Sequence, residues 1–168
     1  EKEMRPFIEN HLAEKNISIT PYVNVWGSTP EKGFSQFYDS PRYSTGYTTL
    51  FNTLGFMVET HMLKPYNIRV EQTYEIMIGA LNFGETFRKN IKNLRAESLN
   101  ELYKQKKYPI SFVPDRNNPS KFNFKGYEAS YIDSKVTTGK RLFYDRNKPF
   151  TKEIEYFNNF IPVKEIDV

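Results

Sequence analysis

The sequence predicts an α/β chain: part of a mixed sheet with one long helix, followed by a β-rich C-terminal segment. Three observations predict it. Val70, Tyr74, Met77, Leu81, Phe87, Ile91 and Leu94 recur at steps that fit a 3.6-residue period, the signature of a helix with one apolar face. Upstream, Phe56-Met57-Val58 follows Gly55 and reads as a buried strand running to His61. From Tyr108 onward, short aromatic runs alternate with turn residues, the texture of consecutive strands. The change of texture divides the chain into residues 1–104 and a β-rich extension, 105–168.

In chain order, MRPFIENHLAEK (4–15) reads as a short helix whose Phe7, Ile8 and Leu12 share a face, with Asn16 as its stop. ISITPYVNVW (17–26) is rich in β-branched and aromatic residues and reads as a strand, with Pro21 at an edge or bulge. Residues 27–46 are dense in Gly, Pro, Ser and Asp and read as a long loop, a length that is often functional. YTTLFN (47–52) suits one or two helical turns capped by Ser44 or Thr45. Asn67, after Pro65-Tyr66, suits the N-cap of the long helix, and Gly79 and Gly84 are places where it packs closely or bends. Four strands are expected beyond Tyr108: PISFVP, KFNFKGYEASYID, KRLFYD and IEYFNNFIPV. Turn signals stand at 114–120 and 145–149.

The bulk properties exclude several classes. The 168 residues suffice for one domain or a domain with an appendage, and the 38% hydrophobic content includes 16% aromatics, which bury much area each. A net charge of +4 comes from 24 basic and 20 acidic residues scattered along the chain, so no nucleic-acid surface is expected. There is no cysteine, hence no disulfide or thiolate metal site. No apolar run approaches the ~18 residues of a membrane span, and no signal peptide is read. The charged opening EKEMR reads as a cut inside a longer protein. Asn16-Ile17-Ser18 matches a glycosylation triplet of a kind common by chance.

The chemistry concentrates at Glu59. A carboxylate at the end of a buried strand costs several kcal/mol unless a partner compensates it. Glu59 is therefore exposed, paired with Arg42 or Lys64, or used by a site. The block S-P-R-Y-S-T-G-Y, then L-G-F-M-V-E-T-H-M-L-K-P-Y, then R-V-E-Q-T-Y-E (residues 40–75) resembles the zinc carboxypeptidases of peptidase family M14, in the form found in large exported bacterial members. The resemblance covers roughly residues 15–100. It implies that residues 1–104 are the C-terminal portion of a carboxypeptidase-like catalytic domain, with Glu59 as general base. In that role Glu59 takes a proton from a zinc-bound water and passes it to the leaving amine. It further implies a peptide substrate and a secreted or periplasmic location. Arg42 would make a secondary contact to the substrate carboxylate, its planar fork suiting bidentate binding. Tyr38, Tyr43 and Tyr47 would be lid or pocket residues, Tyr38 being closest in spacing to the family's mobile tyrosine. The ordinary alternative for all three is a tyrosine-rich loop packed on a sheet edge.

The chain departs from the family at its metal. The family's H-x-x-E and further histidine lie well upstream of the glutamate, and this sequence has only His11 and His61. His11-Leu12-Ala13-Glu14 matches H-x-x-E as a string but lies in a polar helix, and three protein ligands are needed in an open zinc site. His11 is thus expected to be a surface residue and zinc to be held by the full-length protein, with no metal ligand in this chain, which alone should be inactive. Strand alternation puts His61 on the side of Glu59, as its supporting partner. Two other functions are weighed: a non-catalytic β-rich surface interaction module and a related zinc deacylase. Tyr127, Tyr131 and Tyr144 would bind glycans or peptides in such a module, or form a small core. A homodimer through an exposed sheet edge is a further expectation.

Overall fold

A computed structural model describes residues 3–22 and 24–167. Helices and strands are both present, and the contacts separate two units. The first holds residues through Ile19 and Tyr38–Tyr108, the second Thr20–Phe37 and Pro109–Ile166. No helix among the described residues is long and apolar enough to cross a membrane.

The first unit is helical: α1 (Met4–Glu14), α2 (Ser44–Thr49), α3 (Tyr66–Thr86) and α4 (Arg88–Leu102). Ile8 and Leu12 of α1 are buried against Ile76 of α3, with Met4, Ile17 and Val58 packed around them. Beside this cluster the Phe7 ring meets Phe83 and Phe87 edge-on, with centroids 5.6 and 6.0 Å away. Gly79 lets the two helices approach: a Cβ there would stand 3.0 Å from Cδ2 of His11. Asn16 stops α1 as its type suggests. It adopts a left-handed φ of 58°, and the N–H groups of Asn16 and Ile17 donate to the carbonyls of Ala13 and Leu12. That is a Schellman closure, and Ile17 completes it by packing on the core. Asn52, with φ 51°, ends α2 by the same device, Asn52 and Thr53 donating to Thr49 and Thr48.

Several expectations are corrected here. The apolar stripe of the long helix does not face inward. Val70, Tyr74, Met77 and Leu81 are exposed, and α3 buries Ile76, Gly79 and Phe83 instead. Periodicity identifies the helix, but α1 docks on a neighbouring face. The helix also breaks at Phe87 (φ −101°, ψ 14°), where that ring is held by Phe7 and Phe83, rather than at a glycine. It begins at Tyr66 after Pro65, whose φ of −52° leads into the first turn without a side-chain cap; Asn67 lies inside it. Tyr43 precedes α2, and neither Ser44 nor Thr45 caps it; the Thr45 hydroxyl donates to the Asp39 carboxylate. The strand expected over 56–61 has no ladder partner among the described residues.

The second unit holds the strands: β1 (Phe34–Ser35), β2 (Lys107–Pro114), whose first two residues lie on the helical side of the division, β3 (Ser120–Asp133), β4 (Lys140–Phe157) and β5 (Phe160–Asp167). The long helix belongs to the first unit, whereas the mixed sheet belongs to this one. Its order is β1-β4-β3, with β1 parallel and β3 antiparallel to β4, while β2 and β5 form a separate ribbon. β1 lies within the stretch expected to be loop. Gly33 precedes it at φ +101°, a conformation an L side chain adopts only with strain. Of the strand expected over 17–26, only Val25 pairs, as an isolated bridge to Phe34; Pro21 removes a donor, and Val23 lies outside the described residues. The core is Phe34, Ile154 and Tyr156, with Val25, Phe122 and Phe124 around them. Tyr127, Tyr131 and Tyr144 are not part of it. They are exposed on the opposite face of the β3–β4 hairpin.

The turn signal at 114–120 is used between β2 and β3, where the Asp115 carboxylate accepts from the Asn117 N–H and the Asn118 amide. Those two donors hold Asp115 below the usual carboxylate range, the Asn118 side chain contributing most. The signal at 145–149 makes a bulge instead: Tyr127 opposes Pro149, Glu128 opposes Asp145, and 146–148 leave the ladder.

Candidate functional site

The segment between α2 and α3 carries Glu59. Residues 54–60 make no backbone–backbone hydrogen bond among the described residues. Their side chains nevertheless alternate as in a strand. Phe56 and Val58 line a hollow of about 450 Å³ against Thr73, Ile76, Met77, Ala80 and Leu81 of α3. Thr60 lines a second, of about 380 Å³, with Tyr66, Arg69, Val70, Thr73, Tyr74 and Met77. The odd-numbered side chains are left on the other side. Met57, Glu59 and His61 are all exposed. The two-residue period read from the sequence is present, without the ladder that would have made this a sheet strand.

Glu59 forms no ion pair with Arg42 or Lys64 among the described residues; the Lys64 ammonium donates to Gln72 Oε1 at 2.6 Å. It is a solvated carboxylate, the first of the three states open to it. No hydrogen bond joins His61 to it among the described residues. The His61 Nδ1 accepts from the Leu63 N–H at 3.2 Å and its carbonyl accepts from the Lys64 N–H at 3.0 Å, so the residue builds the turn that delivers the chain to α3. Arg42 is exposed just ahead of α2. Tyr38 and Tyr43 are exposed in the preceding loop and Tyr47 on α2, its ring edge-on to Phe51 at 5.1 Å. Arg42, the three tyrosines, Glu59 and His61 thus belong to one unit, and all are exposed.

His11 is not a surface residue. It is largely buried between α1 and α3, with Nε2 3.2 Å from the Glu75 carboxylate, and Glu14 of the same string is exposed. Among the described residues no three His, Cys, Asp or Glu side chains group as a metal would require. A catalytic zinc takes three protein ligands.

Sequence reasoning overlooked Thr60, Tyr66 and Arg69, which line the second hollow, the Arg69 guanidinium standing 5.7 Å from the Tyr66 ring centroid. For Tyr66 and Arg69 the available signal was their position in the first turn of the helix, eight and five residues before Tyr74. Compared with models of known families, with curated proteins and with solved structures, the chain matches none.

Proposed function

We propose that this chain is the C-terminal portion of a zinc carboxypeptidase of the M14 kind, with Glu59 as general base. The observation that carries the reading is the 40–75 block together with the alternation that exposes the Glu59 carboxylate on the side away from α3. A solvated carboxylate can accept a proton from an attacking water and return it to a leaving amine. Arg42, Tyr38, Tyr43 and Tyr47 would contact the substrate's terminal carboxylate and close over it. Zinc would be held by the parent protein outside these residues, and this chain would not turn over peptide alone. The parent would be exported and would cleave C-terminal peptide or amide bonds; a small-amide deacylase would use the same glutamate.

The test extends the gene toward its N-terminus and assays hydrolysis of C-terminal peptide bonds. Glu59→Gln should lower kcat by roughly 10²–10⁴-fold with the fold intact. An extended protein that keeps its activity in Glu59→Gln overturns the assignment. Calorimetry on the present chain should show no tight zinc binding, and tight binding abolished in His11→Ala would overturn the placement of the metal. The second reading, a non-catalytic surface module, is favoured by one observation. Tyr127, Tyr131 and Tyr144 lie exposed on one face of the hairpin, as a glycan- or peptide-binding platform would require.

A further inference from the structure

The surface formed by residues 54–62 and α3 combines two unsatisfied features. Residues 54–60 make no backbone–backbone hydrogen bond among the described residues and run in an alternating, strand-like fashion. Behind them, Tyr66, Val70, Tyr74, Met77 and Leu81 of α3 are all more than half exposed, at steps of four, four, three and four. With Phe56 they present an apolar patch on the order of 800 Å², larger than monomers commonly leave in one piece and equal to one side of a standard interface.

A partner that covers this surface must bring both an extended strand and an apolar helix face. A second copy of the chain brings both. We propose that two copies pair residues 54–62 antiparallel about Val58, with the two α3 helices side by side over the ribbon. In that register Phe56 meets Thr60 of the other copy, Leu54 meets Met62, and Gly55 meets His61. The one carboxylate in the run, Glu59, meets Met57 rather than its own equivalent, so no like charges oppose. The twofold keeps both helices on one face and leaves both Glu59 side chains on the other. The proposal is independent of the peptidase reading, and its readout is mass and cross-linking rather than hydrolysis.

Sedimentation equilibrium from micromolar to submillimolar concentration should show a dimer. Met77→Lys with Tyr74→Glu, both at exposed positions, should keep the helical circular dichroism and weaken the dimer by about a hundredfold or more. The chain has no cysteine. Val58→Cys should therefore give a disulfide-linked dimer under mild oxidation, and Tyr103→Cys, on the exposed end of the helical unit, should not. A monomer at every concentration overturns the proposal. So does a dimer that survives the charged pair and fails to cross-link through residue 58.

Discussion

The strand unit and the helical unit dispose of their large apolar side chains in opposite ways. In the strand unit Phe34, Ile154 and Tyr156 close on one another, and the Phe34 ring lies 5.2 and 5.3 Å from those of Phe122 and Phe124. In the helical unit the most regular apolar stripe in the sequence stays outside, and three residues, Ile8, Leu12 and Ile76, make the buried cluster. Apolar periodicity therefore has two meanings in this molecule. In β3 and β4 it marks a face on which the Phe34 ring of the neighbouring β1 packs; in α3 it marks a face left exposed.

The comparison breaks first at the cores. Phe34→Ala, at a fully buried ring, should cost about 3–5 kcal/mol in denaturant unfolding followed through Trp26, the single tryptophan, which belongs to the strand unit. Leu12→Ala, also fully buried, should cost about 2–5 kcal/mol, read by the helical signal. If Met77→Ala costs as much as Leu12→Ala, the outward face is not outward.

The helix contact is sharpened by two glycines five residues apart in α3. Gly79→Leu drives a side chain into His11 and should destabilise by about 1–3 kcal/mol. Asn16→Ala loses a residue suited to left-handed backbone and should cost about 1 kcal/mol, with Asn16→Gly neutral or better. Gly84 has nothing within 4 Å of an added Cβ, so Gly84→Ala should stabilise by about 0.5–1 kcal/mol. Thermal melts order the three.

The smallest effect is electrostatic and confined to the strand unit. Glu31 is held below its ordinary value of 4.5, first by the Thr29 side chain and then by the Lys152 ammonium, which donates at 3.1 Å. A depressed folded value means that the unfolded chain binds more protons across the window. The contribution is therefore complete above about 4.5 and is lost as pH falls through the folded value. For so exposed a pair it should be under about 1 kcal/mol, so Glu31→Gln should flatten the acid limb only slightly.

Local signals carried α1 and its Asn16 stop, α2 in outline, and the first two of the strands expected beyond Tyr108, because side-chain type and short spacing decide those features; the last two were divided in the wrong place. What the sequence did not reveal is non-local. β1 is two residues long and exists because β4 runs beside it, 122 positions later. The face that α3 buries depends on where α1 lands. KRLFYD and IEYF form one strand because β3 is long enough to span both, with Asn158-Asn159 supplying the turn. At the candidate site the alternation of Glu59 and His61 was legible. The ladder was not, since a strand needs a neighbour that a local pattern does not name.

The bulge in β4 has a practical consequence. Arg146, Asn147 and Lys148 stand outside the ladder, closed by the Asn147 N–H donating to the Asp145 carboxylate at 3.0 Å, and pairing is regular again on both sides. The register of each arm is thus pinned by its own partners and not by the length of this tripeptide. Extra residues inserted after Asn147, even an epitope or a fluorophore-accepting sequence, would lengthen a loop without sliding either ladder.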